Sequence, residues 1–292
     1  VSGNSFHLHT YMGVYEIRDW DEAVSIMVDK ANLAADTIKN NYDCCVAYYD
    51  EHLLEISIEQ RRLLGEFEPA LQNDEFVMYL QPQVKRDGAA KGAEALVRWV
   101  HPSRGILTPY AFIDILENAG LIYKLDLYIW EKAAQKLAEW KEKGYGSYHI
   151  SVNISTKDFY IIDIYETFTG LINKYGIAAS NLHLEITETT LMTDFEKNMN
   201  IIHKLQGVGF RVEIDDFGSG YSSLNMLKDI SADVLKIDMG FLRKSENEVK
   251  GQDILESIIT LAGKIGMDVI TEGVETKKQL DMLTMMGCHE FQ

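Results

Sequence analysis

From residue 75 onward, short apolar runs alternate with stretches of helical period. FVMYLQPQV (76–84), AAKGAEALVRWV (89–100), YHISVNIS (148–155), LHLEIT (182–187), FRVEIDD (210–216), DVLKID (233–238) and MDVITEG (267–273) predict strands. HEFQ (289–292) predicts the start of an eighth. Helical patterns fill the gaps, most clearly over 124–143, 163–175, 194–206, 247–265 and 276–286. Such alternation predicts an α/β fold with a parallel sheet, doubly wound or closed into a barrel. Upstream the pattern reads strand (6–17), helix (21–40), strand (44–51). One such unit cannot bury its own face. Residues 1–52 therefore read as the tail of a domain, 53–72 as a connecting helix, and 73–292 as the main domain.

Composition narrows the class. Hydrophobic residues make up 46% and charged residues 25% of the 292, the balance of a globular protein with a sizeable core. Lys and Arg number 28 against 45 Asp and Glu, a net charge of -17, which repels a phosphate backbone and argues against DNA or RNA polymers as partners. An anionic ligand would need a local reversal of field, and a divalent metal is the usual device. Cys44 and Cys45 are adjacent and Cys288 is distant, which fits neither a disulfide framework nor a metal knuckle and suggests a reducing compartment. No apolar run reaches the roughly 20 residues that span a bilayer and no signal peptide opens the chain, so the expected location is the cytoplasm.

Polar residues recur at or near the C-terminal ends of the predicted strands: Glu94, Asn153, Glu185, Asp215 with Asp216, Lys236, Glu272 and Gln292. In a parallel barrel those ends converge on one face. A lone acid there is ordinarily a helix cap, but caps favour Asp, Ser, Thr and Asn, and three of these are Glu. Glu94 and Arg98, four apart, face the same side of a strand. A guanidinium beside carboxylates suits a phosphate ligand. The all-oxygen ligand set selects Mg²⁺ or Mn²⁺ rather than Zn²⁺, with carboxylates enough for two ions clamping a phosphoryl group. Lys236 would hold the cluster together, and with a lowered pKa it could also deprotonate a water.

The strings AEALVRW (93–99), VNIS (152–155), LEITET (184–189), IDDFGSGYSSL (214–224), DVLKID (233–238) and TEGVET (271–276) together resemble the EAL domain family. These are cyclic di-GMP phosphodiesterases named for the tripeptide that stands here as Glu94-Ala95-Leu96. The resemblance implies a modified TIM (β/α)8 barrel with an antiparallel first strand. It implies hydrolysis of cyclic di-GMP to linear 5′-pGpG with Mg²⁺ or Mn²⁺, two per site, and inhibition by Ca²⁺. Glu94, Asn153, Glu185 and Asp215 would be metal ligands, Asp215 shared between the ions and Asp216 serving the second. Glu272 would bind metal directly or through water, Gln292 would hold a metal-linked water, and Lys236 would be the base or orient the water. Glu188 and Glu275 would brace the loop 215–224, which Gly218 and Gly220 let bend. Gln81, Arg98 and Leu96 would face the substrate. A homodimer through the surface beside that loop, with a helix near Ser222, is expected. The first stretch resembles the C-terminal end of a GGDEF domain without its signature string. A cyclic di-GMP receptor that binds without hydrolysis is the alternative function.

Three features depart from the family pattern. Leu80 stands where Tyr usually precedes Gln-Pro, with Tyr79 one earlier. Glu213 occupies a position expected to be small or apolar, and its expected partner is Arg211 or Lys236. The chain stops at Gln292, early in the eighth strand. That predicts a natural protein longer at both ends, a gap between the first and seventh strands, and a Gln292 with no support. His7, His9, His101, His149, His183, His203 and His289 show no ligand spacing and read as surface or packing residues. Trp99 and Trp140 read as core or helix-packing residues.

Overall fold

The computed structural model describes residues 10–39, 44–217, 230–240 and 248–292. They form two compact units, Val1–Pro69 and Ala70–Gln292. The loop residues Gly218 and Gly220, the helix expected near Ser222, and His7 and His9 lie outside the described residues.

In the first unit, strand β1 (Met12–Val14), helix α1 (Val24–Asp36) and strand β2 (Val46–Tyr48) follow the predicted order. The two strands pair in parallel, Met12 opposite Val46. Gly13 is required there: a Cβ would stand 1.8 Å from the Ala31 carbonyl oxygen of α1. The charged segment that follows forms one helix, α2 (Glu51–Gln72).

The second unit opens with β3 (Phe76–Lys85) and β4 (Ala90–His101), paired antiparallel so that Gln81 lies opposite Glu94. The remaining barrel strands are β6 (His149–Ile154), β7 (Leu182–Thr187), β8 (Arg211–Asp215), β9 (Val234–Asp238), β10 (Asp268–Glu272) and β11 (Glu290–Phe291). A short strand, β5 (Gly105–Leu107), extends β4 on the outside of the ring. β4 and β6 to β11 run parallel to one another, and β3 is antiparallel to both its neighbours. The fold is an α/β barrel of eight strands with a reversed first strand, as expected.

The expected gap is not there. The two-residue β11 pairs with β10 on one side and with β3 on the other, Phe291 facing Thr271 and Val84. Gln292 is also held: its N–H donates to the Thr271 carbonyl (2.9 Å) and its carbonyl accepts from Val274 (3.2 Å).

Both faces of the strands are buried, and alternation assigns each residue a side. Leu182, Leu184 and Ile186 of β7, Val212 and Ile214 of β8, and Leu235 and Ile237 of β9 are buried and point outward to the helices. There α4 (Ile122–Glu142) and α6 (Ile164–Tyr175) pack, Trp130 stacking on Phe168 with ring centroids 4.5 Å apart. Trp130 Nε1 donates to the Asn153 carbonyl at 2.9 Å, tying this shell to the strand that carries a site residue. Trp99 is fully buried, as expected, and its Nε1 donates to Glu75 at 3.0 Å. The inward positions are largely polar, where barrels of this kind usually stack branched aliphatics.

Candidate active site

Seven polar side chains converge inside one end of the barrel, six at inward positions of β4 and β6 to β10 and Gln292 from the residue after β11. Lys236 is 1% exposed and lies at the centre. Its Nζ stands 3.2 Å from Glu94, 3.0 Å from Glu185, 3.4 Å from Asp215 and 2.7 Å from Glu272. Glu94 also accepts from Asn153 Nδ2 at 3.1 Å and from Gln292 Nε2 at 2.5 Å. The strand ends thus bring together Glu94, Asn153, Glu185, Asp215, Lys236, Glu272 and Gln292.

One ammonium does not neutralise four carboxylates. Among the described residues, the Lys236 ammonium is the one cation within 4.0 Å of the Glu185, Asp215 and Glu272 carboxylates. Burial pushes Glu185 well above its usual range, raises Asp215, and lifts Glu272 to about 7, each against the pull of Lys236. Glu94 alone stays below its ordinary value: burial would raise it, but Lys236, Gln292 and Asn153 outweigh that. For Lys236, burial works against the charge, yet the carboxylates hold its pKa well above the usual lysine value. This direction is opposite to the lowered pKa that proton abstraction by Lys236 would need. An excess of buried carboxylate oxygens with one amide oxygen fits hard divalent cations.

Asp216 is exposed at the end of β8, with φ of 56°. A left-handed aspartate is uncommon and carries a modest strain, which here turns the chain sharply after Asp215. Glu188 opens the short helix α7 (Glu188–Thr193), half-buried, and Glu275 is exposed after β10. Gln81, Leu96 and Arg98 share the inward face of the hairpin, and the Arg98 guanidinium lies 5.6 Å from the Tyr79 ring centroid. Tyr79 thus faces the mouth, whereas Leu80 points outward and lines an apolar surface cleft with Pro82 and Trp140. Beside the cluster a cavity of about 460 Å³ is lined by Leu96, Asn153, Ser155, Thr156, Thr187 and Thr190, among others.

A second set of polar residues lies one layer deeper. Glu213 is fully buried, and its partner is His183 (Nδ1 to Oε1, 2.5 Å), not Arg211 or Lys236. Arg211 pairs with Asp268 instead, at 2.6 Å. Burial would raise Glu213, but the His183 bond holds it at about 2. His183 stacks on His149, centroids 3.8 Å apart and planes within 4°. His149 meets Gln83 (Nε2 to Oε1, 2.7 Å), and Gln83 Nε2 donates to Gln292 Oε1 at 3.1 Å. His149 and His183, read from the sequence as surface or packing residues, are buried members of a polar network. His101 is likewise buried, against Trp99, while His203 and His289 are exposed. The missed signal was parity: His149 and Asn153, His183 and Glu185, and Gln83 and Gln81 share inward positions. Ligand atoms of His149, His183 and Glu213 lie within 4.8 Å of one another. The rings are parallel, however, so their in-plane lone pairs do not converge on a common point. Within the trio His183 is hydrogen-bonded to Glu213 and stacked on His149, whose own hydrogen bond goes to Gln83.

Comparison with known proteins agrees with this geometry. The EAL domain pattern matches residues 65–292, and the chain belongs to the EAL domain family. It is 32% identical over 260 residues to the bifunctional diguanylate cyclase/cyclic di-GMP phosphodiesterase MucR of Pseudomonas aeruginosa, covering 89% of this chain and 37% of that protein. It is 32% identical over 223 residues to the cyclic di-GMP phosphodiesterase PdeR of Escherichia coli, covering 76% of this chain and 34% of that one. The chain therefore spans about a third of the length of these relatives. The solved MucR phosphodiesterase in complex with cyclic di-GMP superposes with a TM-score of 0.75 at 34% identity, covering 79% of this chain and 94% of that one. Among the described residues, no helix is long and apolar enough to cross a membrane.

Proposed function

We propose that the barrel hydrolyses cyclic di-GMP to linear 5′-pGpG in a divalent-metal-dependent reaction. The observation that carries this reading is the complete polar set: Glu94, Asn153, Glu185, Asp215, Lys236, Glu272 and Gln292 meet at one barrel end in a chain of the EAL family. Glu94, Asn153, Glu185, Asp215 and Glu272, with Asp216 at the rim, would hold two Mg²⁺ or Mn²⁺ ions. When bound, such ions supply Lewis-acid stabilisation of phosphoryl charge and activation of a water.

The chain's own groups do the rest. Lys236, central among these carboxylates, would act on the attacking water, as its orienting cation or as its base. Arg98 and Gln81 at the mouth would contact phosphate and base, and Leu96, on the same inward face of the hairpin, would face the ligand. Gln292 donates to Glu94 and keeps its carboxylate directed at the cluster. Glu188 and Glu275 would brace the loop 215–224, of which residues 218–224 lie outside the described residues.

Incubation with cyclic di-GMP and Mg²⁺ or Mn²⁺, followed by chromatography, tests the reading: pGpG is expected, and none in excess chelator. Equal hydrolysis in chelator overturns it. Ligand binding without product would instead identify a receptor that binds without hydrolysis. Residues 1–52 read as the end of a GGDEF-like module. In support, the MucR match reaches beyond the barrel, and β1–α1–β2 is a parallel unit. Function as a cytoplasmic homodimer completes the proposal.

A further inference from the structure

A chain of hydrogen bonds runs from the barrel's deeper layer to the site: His149 Nε2 to Gln83 Oε1 (2.7 Å), Gln83 Nε2 to Gln292 Oε1 (3.1 Å), Gln292 Nε2 to Glu94 Oε2 (2.5 Å). Its sense is forced from the Glu94 end. An ionised carboxylate only accepts, so Gln292 must turn its NH₂ to Glu94. Gln292 then offers its oxygen to Gln83, and Gln83 must turn its own NH₂ to it. Gln83 is left presenting oxygen to His149, which must donate from Nε2. Any other arrangement sets oxygen against oxygen somewhere along the chain, buried and unpaired.

The ring that ends the chain is held in place. His183 stacks on it at 3.8 Å, and His183 is itself anchored by Glu213. Across the sheet stands Gly92, where a Cβ would lie 2.4 Å from His149 Nε2. His149 and Gln83 are 8% and 0% exposed, so water does not compete for these bonds. Burial also keeps His149 neutral, with its pKa at about 3. One tautomer, Nε2–H, is then the only form compatible with the network.

We propose that His149 and Gln83 are positioning residues: they fix the orientation of the Gln292 amide and, through it, the Glu94 carboxylate. This rests on the reading of Glu94 as a metal ligand. Supporting groups of this kind typically change metal affinity or activity 10- to 100-fold when removed.

Two measurements test it. In ¹⁵N spectra of histidine-labelled protein in chelator, the His149 signal, assigned by its loss in His149→Phe, should show the proton on Nε2. A proton on Nδ1 would overturn the proposal whatever the protein catalyses. Calorimetric titration of Mn²⁺ should show about tenfold weaker binding for Gln83→Met, and His149→Phe should follow it. The double variant Gln83→Met/Gln292→Met should be no weaker than Gln292→Met alone, because both act through one amide. Wild-type affinity in a folded Gln83→Met, or effects that simply add, would refute the relay. Should Gln83→Met fail to fold, His149→Phe takes its place in the cycle. A wild-type protein that binds Mn²⁺ without producing pGpG would sink the phosphodiesterase reading and leave this one standing on the titrations.

Discussion

Replacing Lys236 by Met removes the single cation from a buried cluster of four carboxylates while keeping most of the side chain's volume. The lysine is 1% exposed and lies within 3.4 Å of Glu94, Glu185, Asp215 and Glu272. Removing one partner of a buried ion pair costs about 3–5 kcal/mol, since the other charge stays desolvated. For a domain of this size about 1 kcal/mol moves the melting temperature by roughly 2–4 °C, so a fall of roughly 6–20 °C is expected. The loss should grow with pH through 7. Burial lifts Glu272 to about 7 even with the attraction of Lys236; without the lysine it is raised further, so the folded variant keeps a proton above pH 7 that the unfolded chain has lost, and its stability goes on falling with pH. A divalent ion supplies the missing charge. Mn²⁺ should therefore raise the melting temperature of Lys236→Met more than that of wild type, even though turnover is lost. Differential scanning calorimetry at pH 6.5 and 8, in chelator and in Mn²⁺, reads all three effects. A variant melting within about 2 °C of wild type in chelator would refute the charge-balance argument.

Four further outcomes are expected, two from the fold and two from the proposed function. Because burial holds His149 at about 3 against an ordinary 6.5, the unfolded chain binds a proton between those pH values that the folded chain does not, so stability rises with pH across that window. At pH 5 this amounts to about 2 kcal/mol, and urea melts of His149→Phe should show a shallower loss between pH 6.5 and 5; an unchanged slope counts against the assignment. Gly92→Ala places a methyl 2.4 Å from the His149 ring and should cost about 1–3 kcal/mol while shifting that residue's ¹⁵N resonances, and unperturbed resonances would contradict the packing. Ca²⁺, with its longer bonds and looser geometry, should inhibit turnover in Mg²⁺, and light scattering should show a dimer; full activity in Ca²⁺, or an active monomer at tens of micromolar, would speak against these.

Much of the barrel was legible before any coordinates. LHLEIT is the strand Leu182–Thr187 to the residue, and the helix predicted over 163–175 is Ile164–Tyr175. Period-2 alternation in strands and apolar spacing in helices are local properties, so they survive in the sequence. The site residues were legible for the same reason, each an inward position near a strand end. The segments Gly105–Leu107 and Ile113–Asn118 were not predicted, because elements this short present fewer than two full periods of pattern.

Partnership was the part that sequence alone could not supply. Glu213 stood out as unusual, but its expected partners were Arg211 and Lys236. Strand register and tilt hand it His183 and give Arg211 to Asp268. Gln292 was expected to lack support, yet it is bonded by β10, Gln83 and Glu94. The direction of the Lys236 shift was likewise a tertiary result, because it depends on how many carboxylates reach one ammonium. Local pattern determined which residues face inward, at which end, and so the class of chemistry. Register across non-adjacent strands decided which inward groups touch. Distances of 2.5–3.4 Å between side chains as far as 209 positions apart are set by closure of the ring, which no local window of sequence contains.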